Sequence, residues 1–105
     1  MKSLSQLTDN DFIKIAKIID NNFIGNAKIT VYPINIGVVR VVGHTEGKQC
    51  INCDVKIDVF MNRLKGVFIH NDDPGIEGAY RHVHPPTLKR VIDYLKANEF
   101  NVFGE

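Results

Sequence analysis

The segment Gln49–Phe60 is a long alternating run, and it constrains the fold more than any other feature of the chain. Its apolar side is Ile51, Cys53, Val55, Ile57 and Val59, and its other side is Cys50, Asn52, Asp54, Lys56 and Asp58. A period of two is the pattern of a β-strand with one face in a core. The run therefore predicts a strand whose odd-numbered residues are buried.

Three further segments have the composition of strands. Lys28–Tyr32 alternates and is expected to end at Pro33, Ile36–Val42 is apolar on both sides apart from Arg40, and Gly66–His70 follows a turn over 61–65. A strand that is apolar on both sides is typical of a central position in a covered sheet. Because three of the connections are short, we expect a four-stranded antiparallel meander.

Amphipathic segments flank these strands. Residues 8–23 predict a helix with Thr8 as N-cap, and a second helix is expected after Pro85 and Pro86, with Asn98 as its stop. The two apolar stripes consist of Phe12, Ile15, Ala16, Ile19 and Phe23, and of Leu88, Val91, Ile92 and Leu95. Residues spaced in this way lie on one side of a helix, so each stripe is expected to pack on the sheet.

These elements predict an α+β protein in the order α-β-β-β-β-α. A length of 105 residues, with 44% hydrophobic and 24% charged residues, fits a single domain over 1–105, in which we expect 1–7 to be frayed. No apolar run approaches the ~18–20 residues that span a bilayer, and no secretory signal is visible. We therefore expect a soluble protein of the cytoplasm, of the host cell if the chain is viral, with no membrane partner.

The two cysteines, Cys50 and Cys53, have the spacing of some zinc and redox motifs. Zinc knuckles place such a pair on a tight turn, and redox pairs sit at a helix start, whereas these two lie within a strand. An offset of three places them on opposite faces. We interpret both as structural thiols, with Cys53 in the core and Cys50 near the surface.

Polar chemistry is concentrated between His70 and Arg90, before and within the start of the second helix. The predicted binding residues are Asp72, Asp73, Tyr80, Arg81, His82, His84, Lys89 and Arg90. A loop of about 14 residues is longer than the usual 4–6 and is typical of a functional segment. Basic residues near a helix start favour an anionic or acidic partner. The simpler interpretations are a turn over 72–75 and a solvated helix face.

A metal site is the alternative for the same segment. His82 and His84 lie on one side of an extended stretch and are the residues to consider as metal ligands. With His70, Asp72 and Asp73 they would suit a metal-dependent hydrolase. Two histidines alone do not make a site, and no phosphate-binding loop motif is present. We therefore predict no metal and no cofactor.

The pattern favours a non-enzymatic protein that binds another protein through residues 71–90. An inhibitor, immunity or accessory factor of phage or bacterial type has these properties. A nucleic-acid or nucleotide-binding module that uses the basic residues near 81–90, with Tyr32 or Tyr80 stacking on a base, is the first alternative. The metal-dependent hydrolase is the second. A net charge of +1 provides no global attraction to nucleic acid. A homodimer is compatible with the apolar second strand.

Overall fold

A computed structural model describes residues 2–20, 23, 28–44, 50–71 and 81–102, with the backbone alone at positions 44, 50, 51, 70, 71 and 81. Two α-helices flank a meander sheet along the chain, in the predicted order α-β-β-β-β-α. The α+β class is confirmed. Within the described ranges, no helix has the length and apolar character needed to cross a membrane.

The helices are α1 (Asp9–Ile19) and α2 (Pro85–Ala97), and the strands are β1 (Lys28–Asn35), β2 (Val38–His44), β3 (Cys50–Asp58), β4 (Arg63–Asn71) and β5 (Arg81–His82). Each strand is antiparallel to the next, and the sheet order is β1-β2-β3-β4-β5. The two-residue β5 is an addition to the four predicted strands. It leads directly into α2 and fixes where that helix begins.

The first helix begins where the sequence predicts, and the second begins at Pro85, two residues before the predicted start. Thr8 caps α1, because its hydroxyl accepts the backbone N–H of Asp11 at 3.2 Å while the Asp11 carboxylate accepts that of Thr8 at 2.9 Å. Prolines occupy the first two positions of α2, and Asn98 is its C-cap. The first helix ends at Ile19 rather than at residue 23, because Asp20 adopts extended dihedral angles.

The described N-terminal residues pack against the rest of the fold. Leu4–Gln6 form a 3-10 helix, and the Leu4 side chain is only 1% exposed. Lys2 forms a parallel β-bridge with Phe100. Burial of one large side chain stabilises the fold by about 1.5–3 kcal/mol, which is enough to hold a short terminal segment.

One core lies between the sheet and the two helices. The helices contribute Phe12, Ile15, Ala16, Val91 and Leu95, and the strands contribute Val41, Cys53, Val55, Ile57 and Val67. Cys53, Val55 and Ile57 of β3 are buried, as the alternation predicts. The prediction is wrong for Val59, which lies beyond the end of β3 and is 47% exposed. Burial also raises the pKa of the Cys53 thiol, so this cysteine is a protonated core residue.

The predicted end of the first strand at Pro33 is wrong. The strand continues to Asn35, and Pro33 pairs with Val39, with an irregularity in register after it. An edge strand tolerates proline because its missing N–H can point away from the neighbouring strand. Strand β2 begins at Val38 rather than at Ile36, since Ile36 and Gly37 form the turn that follows β1. Strand β4 begins earlier than predicted, at Arg63.

Candidate interaction surfaces

The predicted binding segment is described only in part. Asp72, Asp73 and Tyr80 lie outside the described residues, as does the turn predicted over 72–75. The backbone of Arg81 lies in β5 and pairs with Ile69. The described part of this surface is therefore the stretch from His82 into α2.

His82 and His84 are both exposed, with the buried Val83 between them. The backbone N–H of Val83 donates to the carbonyl of Val67 at 3.0 Å, which fixes the segment against β4. Nδ1 of His82 donates to the carbonyl of Val83 at 3.2 Å, and its ring packs edge-on against Phe68, with 4.7 Å between ring centroids. His82 is thus held in place on the sheet, while His84 is the N-cap residue of α2.

The two residues of α2 that the sequence predicts as binding residues, Lys89 and Arg90, have partners within the fold. A terminal nitrogen of Arg90 donates to the carbonyl of Ile18 at 3.1 Å, in the last turn of α1, where helix carbonyls lack intrahelical partners. Lys89 forms an ion pair with Asp93, one turn further on, at 2.9 Å. Arg90 therefore links the two helices, and the exposed Lys89 pair contributes only about 0.3–0.5 kcal/mol.

The sheet register separates Cys50 from His82. His82 is aligned with Asp54 across β4, and Cys50 lies four residues from Asp54 along β3. At normal strand spacing, Cys50 and His82 are therefore about 16 Å apart. His70 pairs with Asn52 in the backbone register. Among the side chains that the structure describes, no group of three or more histidine, cysteine or acidic residues could hold a metal ion.

The two described β-hairpin turns carry exposed apolar side chains at the same end of the sheet. We call this the hairpin-tip patch, and it consists of Ile34 (44% exposed), Ile36 (84%), Val59 (47%), Phe60 (94%) and Met61 (56%). The two turns are adjacent, because the N–H of Ile57 donates to the carbonyl of Gly37 at 2.7 Å. A side chain at Gly37, which has a φ of +73°, would collide with the carbonyl of Ile57. The patch therefore lies on two turns that are in direct contact.

Hydrogen bonds make the second of these turns rigid. One carboxylate oxygen of Asp58 accepts the backbone N–H groups of Phe60 at 3.1 Å and of Met61 at 3.0 Å. The bond from Met61, followed by that from Phe60 and the nearby cationic side chains, holds the pKa of Asp58 below its usual value. The amide oxygen of Asn62 also accepts the N–H of Leu4 at 2.9 Å. The turn is thus preorganised, which lowers the entropic cost of binding.

An ion pair lies on the sheet face opposite the core. Arg40 of β2 and Asp54 of β3 are register partners, and two parallel hydrogen bonds of 2.7 Å and 2.9 Å join them. The side chain of Asp54 is 2% exposed and that of Arg40 is 25% exposed. Hydrogen bonding to Asp54 raises the pKa of Arg40 despite partial burial, with smaller contributions from the Asp54 charge and Tyr32. The pair fixes the guanidinium plane on this face.

Neither the hairpin-tip patch nor the Arg40–Asp54 pair was predicted from the sequence. Val59, Phe60 and Met61 are consecutive apolar residues at the end of a strand, and a run of this kind in a connection is itself a signal of function. Arg40 and Asp54 are 14 residues apart, and only the register brings them together. No local pattern could have identified that pair.

The fold and its surfaces define a small α+β protein with a meander sheet, one face of which packs on the helices, and with exposed apolar side chains at one end. Comparison with protein-family models, with curated proteins and with solved structures finds no match to this chain. Function must therefore be argued from the surfaces themselves.

Proposed function

We propose that this protein is a non-enzymatic interaction factor that acts by binding another protein. The hairpin-tip patch is the observation that carries the proposal. Its five large apolar side chains are between 44% and 94% exposed, at two turns in contact with each other. Contiguous apolar surface on a small protein is typical of a protein-binding site.

The mixed charge at the edge of the patch supports the same function. Asp58 lies on one side of the turn, and Arg63 and Lys65 follow it on β4. An apolar centre with polar and charged residues around it is the usual anatomy of a protein interface. Phe60, an aromatic residue on a rigid turn, is the expected anchor, because aromatic side chains dominate binding energy.

The segment 71–90 remains part of this proposal as a second contact surface. The strand ends at His44, Cys50, Asn71 and Arg81 lie at the end of the meander opposite the hairpin-tip patch. A partner could use either end, and variants at the two ends therefore distinguish them. An inhibitor, immunity or accessory role of phage or bacterial type would follow from the identity of the partner.

Site-specific photo-crosslinking tests the proposal. A photoreactive residue at position 60 should form a discrete adduct with one protein in a lysate of the source organism. The matched control carries the probe at Lys14, an exposed position on α1. Phe60→Ser should lower affinity for the captured protein about 30-fold or more, as at an anchor residue, with stability changed by less than about 0.5 kcal/mol.

The outcomes separate the two ends of the molecule. Loss of binding in Phe60→Ser assigns the interaction to the hairpin-tip patch. Loss of binding only on combined alanine substitution of Asp72, Asp73, Arg81 and His82 assigns it to the predicted segment. Binding that survives both sets of substitutions would overturn the proposal for both surfaces.

A further inference from the structure

The register of the sheet aligns five residues in a line across all five strands. We call them the cross-strand row: Tyr32, Arg40, Asp54, Phe68 and His82, each paired with the next. They lie on the face opposite the core, since the core uses the odd-numbered residues of β1, β2 and β3. Within the described chain, the helices contribute their buried residues only to the core side. The row spans about 19 Å at normal strand spacing.

Four of these five side chains are planar π-systems. Tyr32 is 40% exposed, His82 is exposed, and Phe68 is half-buried. The guanidinium of Arg40 is the fourth plane, and its two bonds to Asp54 hold it in a fixed orientation while 25% of the side chain stays exposed. Aromatic rings and guanidinium planes are the groups on which unpaired bases stack.

A glycine and a lysine complete this surface. A Cβ at Gly66 would lie 2.9 Å from Nε2 of His82 and 2.9 Å from a ring carbon of Phe68, so glycine permits the two rings to lie over the strand. The ammonium group of Lys56 sits 4.6 Å from the centroid of the Phe68 ring. A lysine side chain is flexible, and it can exchange this ring for a phosphate when a base stacks there.

We infer that the cross-strand row and Lys56 form a binding site for single-stranded nucleic acid. Successive bases would stack on Tyr32, Arg40 and the Phe68–His82 pair, and Lys56 would contact the backbone. A duplex cannot use the row, because its bases are already stacked and paired. The site is distinct from the hairpin-tip patch and shares His82 with the segment 71–90, whose Lys89 and Arg90 lie on α2.

Fluorescence anisotropy with labelled oligo(dT) and oligo(U) tests the inference on the full chain at about 50 mM salt. Tyr32→Leu and Phe68→Leu retain apolar bulk but remove a ring. Each should weaken binding about five- to 150-fold, which is the loss of one stacked base. Far-UV circular dichroism and thermal melting of the same variants report whether the fold is intact.

Charge variants provide a matched control. Lys56→Ala should weaken binding and reduce the salt slope of the binding constant by about 0.7, the change for one phosphate contact on a single strand. Lys14→Ala makes the same charge change on α1 and should alter neither quantity. Phe60→Ser should also leave oligonucleotide affinity unchanged, so this test is independent of the proposed protein interaction.

Three results would overturn the inference. The first is the absence of binding to either oligonucleotide at low salt. The second is equal affinity for a duplex of the same length, and the third is unchanged affinity in both folded leucine variants. Preferential single-strand binding that is lost in Tyr32→Leu, Phe68→Leu and Lys56→Ala but retained in Lys14→Ala would establish the site.

Discussion

The two faces of the sheet are built from the same strands and differ in what holds them together. On the covered face, Val41, Cys53 and Val55 pack against the helices in an apolar core. On the opposite face, Arg40 and Asp54 occupy neighbouring register positions and satisfy each other by a buried ion pair. Burial on the first face stabilises the fold without specific geometry, whereas burial on the second depends on one pair of partners. The difference predicts distinct responses to substitution.

The largest expected effect is on the face that lacks the core. Arg40→Met leaves the carboxylate of Asp54, 2% exposed, without its cationic partner. We expect the free energy of unfolding to fall by about 3–5 kcal/mol, as measured by urea denaturation. Asp54→Asn should lower the free energy of unfolding by less, about 1–3 kcal/mol, because water still reaches the guanidinium of Arg40.

The double variant Arg40→Met/Asp54→Leu is the control for that prediction. Replacement of both partners by apolar residues removes the unpaired charge, so most of the lost stability should return. If Arg40→Met alone were as stable as the natural chain, the pair would behave as a solvated surface pair. The contrast between the two faces would then be wrong.

An intermediate effect is expected on the covered face. Val55→Ala removes two carbon atoms from a side chain that is 0% exposed, and it should lower the free energy of unfolding by about 2 kcal/mol. Lys56→Ala changes the adjacent residue on the opposite face and should cost about 0.5–1 kcal/mol, the value of its contact with Phe68. Equal losses of stability in Val55→Ala and Lys56→Ala would contradict the assignment of these two residues to opposite faces of the sheet.

An effect no larger than that of Val55→Ala is expected for a polar contact within the helix layer. The hydroxyl of Tyr94 in α2 donates to the carboxylate of Asp11 in α1 at 3.0 Å. Tyr94→Phe should lower the free energy of unfolding by about 1–2 kcal/mol at neutral pH, measured in urea. The variant sharpens the comparison, because it tests whether the covered side also depends on a specific polar pair.

The pH dependence of this contact follows from two pKa shifts. Burial, then hydrogen bonding to Asp11, raises the pKa of Tyr94 from 10.0 to about 12, so its contribution is present below pH 10 and is lost as the pH rises to about 12. Partial burial raises the pKa of Asp11, but hydrogen bonds from Thr8 and Tyr94 outweigh it and lower the value. The contribution of Asp11 to the free energy of unfolding is therefore present above pH 3.8 and is lost at lower pH. Tyr94→Phe should abolish the loss of stability that Tyr94 causes at high pH, and it should reduce the loss that Asp11 causes at low pH.

Local patterns were sufficient to predict the elements and the covered face. Alternation placed Cys53, Val55 and Ile57 in the core, and the Thr8 and Pro85 signals located both helix starts to within two residues. These features depend on neighbours within a few residues, which are visible in the sequence. Pro33 was misjudged because its effect depends on whether a strand lies at the edge of the sheet, which the order of the strands determines.

The sequence by itself determined the α+β class, the meander and the residues that face the helices, because hydrophobic periodicity acts at short range. Only the tertiary structure decided which distant residues are partners. Arg40 meets Asp54, Tyr94 meets Asp11 and Arg90 meets Ile18 across separations of 14, 83 and 72 residues. Such contacts are set by strand register and helix packing, and both are fixed by the whole core at once. The cross-strand row and the hairpin-tip patch exist for the same reason.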